Sequence, residues 1–462
     1  MGYVQKEVER SVFRAYDIRG LVGKQLDEDA FYSIGLAIGY RLNELQRDKI
    51  YVARDGRLSS EQLAKALQQG LLESGITVLD LGTVATPIMY YATHSQEVDS
   101  GLIVTGSHNP SDYNGIKIVL AGKTLVQQDI EKLHETLANR KRLKGQGQYL
   151  QMDIIDDYCQ RVLKDIQLSR PLKVVVDCGN GVAGPVIPKV IAAMGCEVIP
   201  LYCDVDGRFP NHHPDPSVEE NLQDLKETVL ATQADLGLAF DGDADRLGVV
   251  TDKGETIWPD RLLMLYATHV LQHNAGGTIV YDVKCSSHLA EVIKRSGGIA
   301  RMCPTGHSIV KAVMKQEQAA LAGEMSGHLF FKDRWYGFDD ALYSACRLLE
   351  ILSLSSQTVS QQFSKIPNSI NTPEIKIPIA EDIKFSFMER FCAEALFPEA
   401  ELITIDGLRV EFANGWGLLR ASNTTPCLVA RFEARDQQSL EQIQELFRAQ
   451  LQRLDSSLSL SF

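Results

Sequence analysis

The sequence predicts an α/β protein: three similar mixed α/β domains followed by a smaller C-terminal α+β domain. Two observations carry this. The first is a segment grammar that recurs along the chain. "KIYVARDGRLSSEQLAKALQQGLLESGITVLDLG" (49–82), "KVVVDCGNGVAGPVIPKVIAAMGCEVIPLY" (173–202) and "GTIVYDVKCSSHLAEVIKRSGGIARMCP" (277–304) each read as strand, polar loop, helix, glycine, strand. A β-α-β unit closes as a largely parallel sheet covered by helices, and its recurrence points to repeated domains. The second is the change of character in the last hundred residues. "TPEIKIPIA", "GLRVEF", "GWGLLRAS" and "CLVARFEA" read as strands, with period-2 alternation in places. An amphipathic helix over 439–454 follows, with Leu440, Ile443, Leu446, Phe447 and Leu451 as its stripe.

In the first unit the helix puts Leu63, Ala66, Leu67 and Leu71 on one face. Ser59 or Ser60 suits its cap and Gly75 its stop. The first strand of each unit empties into a polar loop, "RDGR", "DCGNG" or "DVKCSS", and ligands in such folds gather beyond the carboxyl ends of the strands. At roughly 150 residues per domain, length alone suggests about three domains. Boundaries are expected in "KRLKGQGQ" (141–148), near Asp252–Gly254, and around "KIPNSINTP" (365–373), giving domains 1–150, 151–254, 255–367 and 368–462.

Composition narrows the function. Of 462 residues, 44% are hydrophobic and 23% charged, as in soluble globular proteins. A net charge of −13 argues against wrapping nucleic acid. A phosphorylated substrate is compatible if the cationic groups are gathered in one cleft. Nine cysteines with no CxxC pair point to reduced, mostly buried thiols in a cytoplasmic protein. "MGYVQKEVERSVFRAYDIRG" lacks the apolar core of a signal peptide. No apolar run approaches the roughly 20 residues of a membrane span.

Four loops are candidates for chemistry. In "TGSHNPSDYNG" (105–115), "GLIVTG" reads as a strand ending at Gly106 and "NGIKIVL" as the next, so Ser107 lies on the loop between them. Ser107 could be a turn residue, a phosphate anchor, or a hydrolase nucleophile with His108 as base. The hydrolase reading is the weakest, because chain neighbours usually diverge in direction and the GxSxG elbow is absent. In "LGLAFDGDADRLGVV" (236–250), Asp241, Asp243 and Asp245 alternate with Gly242 and Ala244, just ahead of Arg246. Carboxylates so placed repel unless a cation sits among them, and hard oxygen ligands favour Mg²⁺. The spacing is not that of an EF-hand. A solvated acidic turn is the bland alternative.

"LAGEMSGHLFF" (321–331) alternates Glu324, Ser326 and His328 with other residues, a pattern suited to vicinal hydroxyls or to a packed turn. "GLLRASNTTPCLVARFEA" (417–434) sets Arg420 ahead of Ser422, Asn423, Thr424 and Thr425, which reads as a phosphate cradle or a polar turn closed by Pro426. A fifth stretch, "GNGVAG" (179–184) with Asp204 downstream, fits the dinucleotide fingerprint and so a dehydrogenase. Against that, Pro185 and Pro188 open its helix, and hydride transfer leaves the three aspartates without a role.

Taken in order, these four loops resemble those of the α-D-phosphohexomutase family, in its bacterial phosphomannomutase/phosphoglucomutase branch. The resemblance runs from "FRAYDIRG" (13–20) to "RASNTTP" (420–426), with Ala244 where many members have Gly. It implies four domains around a central active-site cleft, each contributing a loop. It also implies reversible intramolecular phosphoryl transfer between hexose 1-phosphate and hexose 6-phosphate, of mannose or glucose, through a 1,6-bisphosphosugar. Ser107 would carry the phosphate. Asp241, Asp243, Asp245 and the group on Ser107 would hold Mg²⁺. Arg19, Lys117 and His108 are implied as candidates for proton transfer, and Arg246 as support for the phosphoserine. Glu324 and Ser326 would read ring hydroxyls. Tyr16, Lys284, His307 and His328 would complete the walls, and Arg420, Ser422, Asn423, Thr424 and Thr425 would grip the distal phosphate. The family also implies a monomer acting on small sugar phosphates, with no nucleic acid or membrane partner. A magnesium phosphatase with an aspartate nucleophile and a sugar-phosphate-binding regulator are the rival readings.

Overall fold

The β-branched runs become sheet centres. In the computed structural model, which describes residues 2–422, 425–460 and 462, the chain forms two compact units. One comprises Met1–Pro259 with Ser326–Lys365, the other Asp260–Met325 with Ile366–Phe462.

In the first unit, Lys49–Arg54 runs parallel to both Thr77–Thr83 and Gly101–Val104. Its residues Ile50 to Ala53 are buried without alternation, as a strand covered on both faces must be. The helix Ser60–Glu73 covers this sheet with Leu63, Ala66, Leu67 and Leu71, and it stops before Gly75 at φ +84°. The expected cap is corrected in detail. Ser59 holds the cap position but makes no side-chain capping bond, and the Ser60 hydroxyl donates instead to Asp55 at 2.5 Å.

The sheets are mixed rather than parallel throughout, and the antiparallel parts matter most. Tyr113–Leu120 turns back against Gly101–Val104, and Ile18–Leu21 adds antiparallel to it. The second sheet repeats the device. Leu236–Phe240 lies parallel to Lys173–Asp177, and Leu247–Thr251 folds back antiparallel upon it. Residues 105–112 and 241–246 are therefore hairpin turns at the ends of fully buried strands. The segment Ser326–Lys365 is tied to this unit by the Tyr158 hydroxyl, which donates at 2.9 Å to Asp340, the capping residue of the helix Ala341–Ser353.

In the second unit, Thr278–Asp282 is flanked in parallel by Ile299–Cys303 and Leu321–Gly323. The C-terminal sheet is antiparallel through Cys427–Ala434, Gly415–Ala421, Leu408–Phe412 and Glu401–Ile403. The final helix, Gln437–Leu454, packs Leu440, Ile443, Phe447 and Leu451 into its core. Leu446 departs from the expected stripe: it is 43% exposed, because it lies one residue off the buried arc. All nine cysteines are unbonded and six are buried. Among the described residues, no helix is long and apolar enough to cross a membrane.

Candidate active site

The serine turn is held from outside itself. Arg57 is buried, and its guanidinium donates to the carbonyls of Ser107 at 2.7 Å, Asn109 at 2.6 Å, Pro110 at 2.5 Å and Tyr113 at 3.1 Å. Asp55 pairs with Arg57 Nε at 3.2 Å and accepts the Gly106 N–H at 3.1 Å. Only glycine fits at 106, since a Cβ there would lie 2.5 Å from the guanidinium. Thr105 Oγ1 accepts the Ser107 N–H at 2.9 Å. This bracing holds Ser107 at φ +49°, a left-handed conformation that costs an L-residue roughly 1–2 kcal/mol and that persists where the surroundings over-determine it.

The twist aims the side chain inward. Ser107 is 2% exposed, and its Oγ donates to Asp241 Oδ2 at 3.1 Å. His108 Nδ1 also lies 3.3 Å from Oγ, so these two neighbours converge where divergence was expected. Burial, reinforced by the charges of Arg246, Arg19 and Lys117, pushes the His108 imidazole well below its ordinary pKa.

Asp241, Asp243 and Asp245 are all fully buried, which excludes the solvated acidic turn. One oxygen of each lies within 4.8 Å of the others. Asp241 Oδ1 accepts the backbone N–H of Asp245 at 3.0 Å and of Arg246 at 3.1 Å. Asp243 accepts from Thr86 Oγ1 at 2.5 Å and from Lys117 Nζ at 2.6 Å, and Lys117 also pairs with Asp245. Burial and the charges of Asp245 and Asp243 drive the Asp241 carboxyl far up. Burial acts the same way on Asp243, but Lys117 outweighs it and holds that carboxylate down. Asp243 Oδ1 and Asp245 Oδ1 are buried with no hydrogen-bond donor. Converging hard oxygens in excess of their counter-charge fit a small divalent cation such as Mg²⁺. Ala244 lies at φ +62°, so the residue standing where glycine is usual does carry left-handed strain.

Three more expected residues surround this centre. Arg19 pairs with Asp17 at 2.5 Å and donates to Asn109 Oδ1 at 3.3 Å. Arg246 Nε donates to His328 Nε2 at 3.1 Å. That bond places the His328 proton on Nδ1, which faces Asp339 at 3.3 Å and Asp245 at 3.6 Å. His328 thus stands beside the acid loop. Ser326 is half-buried two residues before it, and Tyr16 is half-buried just ahead of Ile18–Leu21.

The remaining candidates belong to the second unit. Lys284 is buried, pairs with Glu374 at 2.6 Å and lies 3.7 Å from Asp282. His307 begins the helix His307–Glu317, and Glu324 Oε1 accepts the Gly306 N–H at 2.6 Å. Arg420 Nε pairs with Asp406 at 2.9 Å. The Ser422 and Thr425 hydroxyls lie 2.8 Å apart, and Ser422 Oγ accepts the Thr425 N–H at 3.1 Å. Asn423 and Thr424 lie outside the described residues.

Models of the phosphoglucomutase/phosphomannomutase family match along nearly the whole chain. The three alpha/beta/alpha domains match residues 10–144, 156–254 and 258–369, and the C-terminal domain matches 374–450. The chain belongs to this family. It is thus an isomerase of the phosphohexomutase class. It is 53% identical to a Pseudomonas putida protein named phosphomannomutase/phosphoglucomutase, over 98% of each chain. It is 50% identical to a Neisseria meningitidis phosphoglucomutase, over 96% of this chain and 97% of the other. A crystal structure of a family protein from Burkholderia thailandensis superposes with a TM-score of 0.94 at 48% identity, covering 98% of this chain and 100% of that one.

Within this phosphohexomutase, "GNGVAG" is a packing motif. The helix that follows begins only at Ile187 and has 7 residues. A Cβ at Gly181 would lie 2.8 Å from the Gly242 carbonyl, which accepts the Val182 N–H at 3.2 Å. The glycines let this loop support the acid loop. Arg57, Thr86, Asp339, Glu374 and Asp406 contact expected site residues and were missed by sequence reasoning. Arg57 sat in the polar loop "RDGR", a visible but unspecific signal. Thr86 had none, since its partner Asp243 is 157 residues away.

Proposed function

We propose that this chain interconverts the 1- and 6-phosphates of mannose or glucose, with Ser107 as the phosphoryl carrier and a 1,6-bisphosphosugar as intermediate. The observation that carries the reading is the Ser107 Oγ–Asp241 hydrogen bond inside a buried acid cluster. The names of the full-length relatives support the hexose phosphate chemistry.

In the forward half-reaction the Oγ–P bond of phosphoserine breaks and a bond forms from phosphorus to the free sugar hydroxyl, whose proton leaves to a base. The other phosphate later returns to Oγ. Asp241, Asp243 and Asp245 would hold Mg²⁺ together with the group on Ser107, and the cation would supply neutralisation of phosphoryl charge. Arg57 and Asp55 keep Ser107 in place through both halves. Lys117 stays an ammonium, because the acids around it raise its pKa against the effect of burial. It acts as a fixed counter-charge. His108 and His328 are imidazoles close enough to this centre to exchange a proton, while Arg19 and Arg246 offer permanent charge to phosphate. Arg420, Ser422 and Thr425, with Asn423 and Thr424, grip a phosphate without reading the ring, as a site that takes the sugar in two orientations requires. Glu324 and Ser326 bind ring hydroxyls. The same reading takes the protein as a cytoplasmic monomer acting on small sugar phosphates.

The test is conversion of glucose 1-phosphate or mannose 1-phosphate to the 6-phosphate with Mg²⁺ and a trace of the 1,6-bisphosphate. Ser107→Ala should reduce turnover to background, and intact mass should show one phosphate on the active protein and none on the variant. Absence of 6-phosphate product overturns the proposal. So does phosphate release that survives Ser107→Ala, which is the outcome expected of an aspartate nucleophile.

A further inference from the structure

Asp282 ends the central strand of the second unit's parallel sheet and is fully buried. Its neighbours in register are Cys303 on one side and, one pair earlier, Gly323 opposite Tyr281 on the other. Three loops leave the carboxyl ends of these strands, the end where such sheets bind ligands. Each loop carries one expected sugar-site residue within this unit: Lys284, His307 and Glu324.

A carboxylate only accepts, through two oxygens with about four lone-pair sites. At Asp282 the donors come from all three loops. Oδ1 accepts the Met325 N–H at 3.1 Å and the Cys285 thiol at 3.1 Å. Oδ2 accepts the Thr305 hydroxyl at 3.2 Å and faces Lys284 Nζ at 3.7 Å. Met325 lies between Glu324 and Ser326, Thr305 is two residues before His307, and Lys284 is itself a site candidate. The contacts are to the loop rims rather than to the apolar core, so they set where the loops stand more than whether the sheet forms. Glu324 extends the tie by accepting the Gly306 N–H of the neighbouring loop.

We propose that Asp282 is a positioning residue for sugar recognition: one buried carboxylate binds the 284, 305–307 and 324–325 loop segments into a single preset arrangement. The inference rests on the hexose phosphate reading above. It predicts an effect on ligand affinity more than on the phosphoryl step, because the partners of Asp282 named above all lie on these three loops.

Asp282→Asn is the sharpest variant. It keeps the shape, but its NH₂ must face donors on one side whichever way the amide is turned. A displacement of about 1 Å in a positioning loop can cost up to about 100-fold. We therefore expect KM for glucose 1-phosphate to rise about ten-fold or more while kcat changes less than about three-fold. Calorimetric affinity for glucose 1-phosphate should weaken in step, and the Met325 amide should exchange hydrogen faster than in the wild type. Thr305→Val removes one tie and should raise KM partway, and Thr305→Ser, which keeps the hydroxyl, should restore it. This pair decides the matter if Asp282→Asn does not fold. Unchanged affinity and KM in Asp282→Asn overturn the inference, as does a loss of thermal stability or of kcat without the KM split. A wild-type protein that converts no sugar phosphate but binds it, with an affinity that falls in Asp282→Asn, overturns the proposed function alone. One that binds none overturns both.

Discussion

Lys117 and Lys284 are both buried amines that face two carboxylates, one in each compact unit, yet they solve different problems. In both, the acids raise the lysine pKa against burial. Beside Lys284 one of the two acids, Glu374, is 37% exposed, so water screens its charge. Around Lys117 three carboxylates are fully buried, Lys117 pairs with two of them, Arg246 lends charge to the third, and two of their oxygens have no donor. An acid that water can solvate needs no further counter-charge. A buried acid excess is tolerable only if one acid takes up a proton or a further cation arrives. The contrast makes the acid loop, and not the Lys284 cluster, the place that could hold a cation.

The strongest way to break this contrast is to remove each amine. Lys117→Met leaves Asp243 and Asp245 without their counter-ion, and breaking a buried pair in this way costs about 3–5 kcal/mol. Urea unfolding should show that loss, and millimolar MgCl₂ should recover part of it. Lys284→Met should lose less and recover nothing with MgCl₂. Equal recovery in both would remove the distinction.

A smaller effect reads the second unit by pH. Partial loss of solvation would raise Glu374, but Lys284 overrides it and lowers the carboxyl from its ordinary 4.5 to about 2. The folded pKa lies below the unfolded one, so the pair's stabilisation is present above about 4.5 and is lost as pH falls towards about 2. Glu374→Gln should flatten that part of the stability curve, as followed by thermal unfolding between those limits. An unchanged acid slope would show that the pair carries no such linkage.

The smallest effect lies in the acid loop itself. Ala244→Gly relieves a left-handed alanine, worth roughly 1 kcal/mol, but frees the unfolded chain by about 0.4–1 kcal/mol. Stability should move by less than about 1 kcal/mol, towards the glycine. A loss of several kcal/mol would mean that the alanine methyl matters for packing.

Much of this is legible in the sequence. Asp241, Asp243 and Asp245 are readable because their ligand atoms are contributed by one short stretch, and the pattern survives in one dimension. The helix stripe of 439–454 was readable for the same reason, apart from Leu446, where periodicity places a residue near the edge of the buried arc without deciding which side of it. Arg57 was not readable as the clamp of the serine turn, because its partners are four carbonyl groups some 50 residues later, and carbonyls have no signature in sequence. The convergence of His108 on Ser107 was also invisible, since it depends on a backbone torsion at φ +49°.

The sequence by itself determined the class of fold, the order of its four chemical loops, and the residue types each loop offers, because hydrophobic period and short motifs are local properties. Only the tertiary structure decided which charges neutralise one another and which are left in excess. Lys117 comes to rest between two aspartates more than 120 residues away, and Asp282 gathers donors from three loops. Such meetings depend on which strands pair and where their hairpins turn, and the distance between two side chains is a property of the folded chain alone.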